Sequence, residues 1–104
     1  MLKILFILLS LSSLIYSKTY RDKNKINELE ILSIKDKEMK VIAKRPSLVI
    51  KGTAHFINNR YILPYSNLED KINCRLFIEV MSEYLNVESD SCKQFEGQYN
   101  LIEN

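Results

Sequence analysis

The chain has 104 residues, with fifteen lysines and arginines against thirteen acids, a single histidine, two cysteines, two glycines and no tryptophan. That length leaves room for one domain, and so few glycines and metal-binding side chains exclude glycine-rich phosphate loops and the short-spaced Cys and His patterns of zinc sites. The formal charge of +2 conceals a division: residues 18–65 carry eleven basic side chains against five acids, whereas residues 66–104 carry three against eight.

Residues 1–17 read as a signal peptide. Lys3 gives a short positive start, and the thirteen residues from Ile4 to Tyr16 hold no charge. A run of that length suits a signal core and falls short of the roughly 20 residues a spanning helix needs. Ser17 is small enough to precede a cleavage site, although Ile15 is larger than the residue preferred two positions earlier. About 87 residues would remain after cleavage. Lys18 to Asn27 is polar and aperiodic apart from Tyr20 and Ile26, and reads as a flexible lead-in. The domain proper is then expected over residues 28–104.

Two short strands follow. Leu29, Ile31 and Ser33 alternate with Glu30, Leu32 and Ile34, and Met39, Val41 and Ala43 alternate with Lys40, Ile42 and Lys44. The charged link Lys35–Glu38 suits a hairpin, and Arg45-Pro46 ends the second strand. A third strand starts at Leu48, with Gly52 as a bulge or a new beginning. The clearest hairpin pairs Ala54–Ile57 with Arg60–Leu63 around Asn58-Asn59, residues that tolerate left-handed dihedrals. Pairing outward from that turn sets Ile57 opposite Arg60, Phe56 opposite Tyr61, His55 opposite Ile62 and Ala54 opposite Leu63. One face is then apolar (Ala54, Phe56, Tyr61, Leu63) and the other mixed (His55, Ile57, Arg60, Ile62). Pro64 is expected to close the strand.

Ser66 and Glu69 have capping-box spacing, so a helix is expected from there to about Asn86–Val87. At helical spacing Cys74, Leu76, Phe77, Ile78, Val80, Met81, Tyr84 and Leu85 form one broad apolar side. The tail, with Phe95, Tyr99, Leu101 and Ile102, is read as a short strand or irregular packing up to Tyr99, or as disorder beyond it. The fold class expected is therefore α+β: a short antiparallel sheet of about four strands covered by one C-terminal amphipathic helix.

Cys74 and Cys92 are an even pair 18 residues apart and are expected to form one disulfide, which agrees with an exported chain. No catalytic residues, metal or cofactor are assigned. His55 lacks a recognisable nucleophile motif, and the Glu79–Glu83 pair lies on the polar side of the expected helix. Binding is what remains. Lys51, His55, Arg60 and Tyr61 are the candidate contact residues, with Tyr61 the weakest because the hairpin register puts it on the apolar face. A sheet edge left open would be a second contact route. The reading that follows is an exported, periplasmic or extracellular, non-catalytic interaction protein of the inhibitor, immunity, adaptor or accessory-subunit kind. Its expected partner is a protein; nucleic acid is not expected, and membrane contact is less favoured. A secreted effector or toxin-like protein acting on a membrane or host protein is the first alternative, and a small hydrolase the second.

Overall fold

The computed structural model describes residues 17–69 and 71–102, so residues 1–16 of the expected signal peptide lie outside the described residues. The chain forms eight antiparallel strands in sequence order: β1 (Lys18–Asp22), β2 (Glu28–Lys35), β3 (Glu38–Arg45), β4 (Leu48–Ile57), β5 (Arg60–Asn67), β6 (Ile72–Val80), β7 (Tyr84–Ser89) and β8 (Gly97–Ile102). Each pairs with its neighbour, and β8 returns to pair with β1, closing an up-and-down barrel. The expectation of an α+β fold with a sheet of about four strands is overturned. In a closed barrel each strand has a neighbour on both sides, so the expected open edge strand is not found among the described residues.

The missing helix has a plain physical cause. From Ile72 to Val80 the inward positions are Ile72, Cys74, Leu76, Ile78 and Val80, alternating with Asn73, Arg75, Phe77 and Glu79. That is the two-residue period of a strand. Phe77 alone breaks the polar alternation, and with Met81, Tyr84 and Leu85 it fills in the appearance of a helical stripe. Ser66 is within β5 and Glu69 in the loop after it, so neither caps a helix. Lys18–Asp22, read as lead-in, supplies β1: Tyr20 is buried and its strand joins β2 to β8.

Several sequence features sit where their chemistry requires. Asn58 and Asn59 both have positive φ, 54° and 69°, as a two-residue hairpin turn of the primed kind demands. The register beside it is Ile57↔Arg60, Phe56↔Tyr61 and His55↔Ile62. The β4–β5 ladder ends after those three pairs, and Pro64, which has no amide to give, lies where β5 has parted from β4 while remaining paired to β6. β4 itself runs unbroken through Gly52. A Cβ there would stand 2.9 Å from Leu63 Cδ1, so glycine lets Leu63 seat fully inside the wall.

Eight strands enclose a space just wide enough for side chains to fill. Leu29, Ile31, Met39, Val41, Ile50, Leu63, Leu76, Ile78, Leu85 and Tyr99 do so, each essentially without solvent contact. The two ends differ. One end is plugged by the Ser89–Gly97 connection, whose single 3₁₀ turn (Lys93–Phe95) pushes Phe95 under the barrel. The Cys74–Cys92 disulfide ties that plug to β6. Tyr99 Oη donates to Phe95 O at 2.6 Å, Asn27 Nδ2 donates to Gln94 O at 2.7 Å, and Arg45 donates to both Asn27 Oδ1 and Gln94 O. These bonds satisfy polar groups that would otherwise be costly to bury. The other end receives the turns β2–β3, β4–β5 and β6–β7, together with the start of β1 and the finish of β8. It has no comparable plug among the described residues.

Candidate functional site

Because the interior is packed, the chemistry available to a partner is on the outside of the barrel. Outward positions of β4, β5 and β6 form one continuous row, set by register: Glu38↔His55, His55↔Ile62, Ile62↔Phe77 and Phe77↔Glu88. The row has a carboxylate at each end, histidine next, and two apolar side chains at its centre. Cross-strand neighbours of this kind lie about 5 Å apart, so the row is contiguous.

Two arginines fold over its centre. The Arg60 guanidinium lies 4.5 Å from the Phe77 ring centroid and that of Arg75 lies 5.4 Å from it. Each is steered by an acid. Arg60 Nη1 is 3.8 Å from Glu88 Oε2, and Arg75 Nε donates to Asp90 Oδ2 at 3.0 Å. Asp90 also accepts the Arg75 backbone amide at 2.9 Å. That amide bond, and then the guanidinium, hold the Asp90 carboxyl well below its ordinary value, at about 2, so it stays charged at any physiological pH. The exposed ion pairs add little stability by themselves. Their effect is to present Phe77 flanked by two positioned guanidinium planes, each ring contact being worth about 0.5–1 kcal/mol at an exposed site.

Of the four residues singled out from sequence, His55 and Arg60 are brought together on this wall. His55 Nδ1 is 3.6 Å from Glu38 Oε2, with both side chains exposed. Lys51 points outward from the same strand, four residues from His55 and so roughly 13 Å along it, beside Ile42 of β3. Tyr61 is apart from them: its ring meets Phe56 at 5.0 Å between centroids and packs against the core. The residues proposed for a hydrolase are not assembled, since Glu79 accepts from Asn86 on the outer wall and Glu83 is in the β6–β7 turn. Comparison with protein-family models, with curated proteins and with solved structures gives no match. The wall must therefore be judged on its chemistry.

Phe77, Arg75 and Ile62 are the members of this site that sequence reasoning missed or left unused. Ile62 was on the mixed hairpin face, next to His55. Phe77 and Arg75 were hidden by the helical reading, which put Phe77 on the apolar side facing the sheet. The signal that finds them is the strict alternation of Ile72, Cys74, Leu76, Ile78 and Val80, which leaves Phe77 as an aromatic on the wrong side of a strand.

Proposed function

We propose that this is an exported, non-catalytic interaction protein, of the inhibitor, immunity, adaptor or accessory-subunit kind, which binds a protein partner through the outer wall of β4, β5 and β6. The observation that carries the reading is Phe77 held on the outer wall between Arg60 and Arg75. Arginine and aromatic side chains dominate the energetics of protein interfaces, above all where neighbouring side chains hold them in place before binding. Ile62 extends the apolar centre, and around it Arg60 and Arg75 alternate with Glu88 and Asp90. A partner with an apolar spot ringed by charges of both signs complements that pattern. Export is supported by the uncharged run before Ser17 and by the disulfide, a bond that persists in oxidising compartments.

The test is cross-linking and recovery of the tagged, natively exported protein, with mass spectrometry of what accompanies it. One partner at near-stoichiometric yield is expected. Phe77→Ala and Arg60→Glu should each lower its recovery at least tenfold, the effect of losing a contact worth about 1.4 kcal/mol or more. Unchanged recovery with both variants, each still folded by circular dichroism, would sink this assignment of the surface.

A further inference from the structure

The open end of the barrel is a second, chemically different surface. Nine large apolar side chains are exposed among the described residues, and six of them collect there: Leu32, Ile34, Phe56, Ile57, Met81 and Leu101, each between 37 and 50 % exposed. They come from three hairpins and the last strand. Three of them continue the interior column outward: Ile34 is paired with buried Met39, Phe56 follows Ala54 by two, and Leu101 follows Tyr99 by two. The core therefore emerges at this mouth, whereas hydrogen-bonded polar groups and Phe95 close it at the other end. Apolar side chains gathered at one end of so small a domain mark an interaction surface.

The position of the chain's own N-terminal segment decides what covers it. β1 begins at Lys18 on this same rim, so Ser17 leaves the barrel there, and the thirteen uncharged residues Ile4–Tyr16 immediately precede it. Until that run is cleaved, its engagement with a bilayer keeps the rim beside the lipid surface. We propose that the apolar mouth docks on the bilayer, inserting Phe56, Ile57, Leu101 and their neighbours at the level of the headgroups. A bilayer accepts side chains from separate turns without needing a matched shape. The turns bear charges of both signs (Lys35, Asp36, Lys37, Glu83), so insertion rests on apolar contact and should not require anionic lipid. Docked this way, the barrel axis stands off the membrane and the Phe77–Arg75 part of the outer wall faces sideways, while Arg60, paired with Ile57, lies at the rim. This orientation does not depend on the assignment of that wall.

The absence of tryptophan from the sequence makes a direct test available. Full-length chain, synthesised in the presence of phosphatidylcholine vesicles, would carry one reporter at a time: Phe56→Trp or Leu101→Trp at the mouth, Leu68→Trp at the plugged end. Lipids brominated along the acyl chain quench only fluorophores that reach them. Both mouth reporters should be quenched several-fold and Leu68→Trp should not, with the same result when anionic lipid is added or salt is raised. Unquenched mouth reporters in vesicle-bound protein would overturn the proposal. So would quenching equal to that of Leu68→Trp, or a mouth shielded in a concentration-dependent way, which would assign it to a second copy of the chain.

Discussion

Replacing both Cys74 and Cys92 by alanine should cost this barrel about 3 kcal/mol. The bridge closes a loop of sequence separation 18, and the chain-entropy relation gives roughly 11 cal/mol/K for that length, or about 3 kcal/mol at room temperature. Alanine is the right replacement because both sulfurs are buried, and serine would leave hydroxyls to satisfy. A domain of this size has a total stability of about 4–13 kcal/mol, so the loss removes between a quarter and three quarters of it. At about 4–8 °C for each kcal/mol, the melting temperature should fall by about 12–24 °C. Urea titration followed by far-ultraviolet circular dichroism measures the loss directly. The denaturant slope should rise, because an uncrosslinked unfolded chain exposes more surface. The loop contains β7, and the 3₁₀ turn beneath the barrel starts directly after Cys92, which anchors it, so amides from Lys93 to Tyr99 should show the largest gain in exchange rate. A loss below about 1 kcal/mol, with exchange unchanged there, would refute the idea that the cross-link holds the plug in place.

Two further outcomes test the fold at separate points. Asn59→Ala should lower stability by about 1–2 kcal/mol in the same titration, because alanine at φ 69° suffers the left-handed clash that asparagine tolerates, while Asn59→Gly should not. Burial raises the Tyr99 phenol above the ordinary tyrosine range, and its hydroxyl donates to Phe95 O. The folded chain therefore keeps a proton that the unfolded chain releases near pH 10. That contribution is fully present below pH 10 and is lost as pH rises beyond it, so the barrel should lose stability in alkali, with Tyr99 ionising only as the barrel opens. Ultraviolet titration of the tyrosinates alongside circular dichroism checks this; a Tyr99 that ionises in the intact barrel would contradict the buried hydrogen bond.

What the sequence disclosed depended on whether a local rule matched the global one. The Asn58-Asn59 hairpin was legible because its turn residues and its alternation agreed, and it led straight to His55 and Arg60 on one outer face. β1 was not, since Lys18–Asp22 needs only Tyr20 inside to close the barrel, and one aromatic among four polar residues has no visible period. The β6–β7 segment failed for a more instructive reason. Its inward residues obey a two-residue period, but a helix was inferred from the Ser66–Glu69 spacing and from the broad apolar stripe that Phe77, Met81, Tyr84 and Leu85 complete. In a strand whose other outward residues are Asn73, Arg75 and Glu79, an aromatic is unsupported by the core and must be held by its own neighbours, as Arg60 and Arg75 hold it. The same logic applies at the mouth, where Ile34, Phe56 and Leu101 follow the inward period past the point at which the barrel can bury them. Local pattern and burial disagree at both places, and those two places are the surfaces proposed here for a protein partner and for lipid.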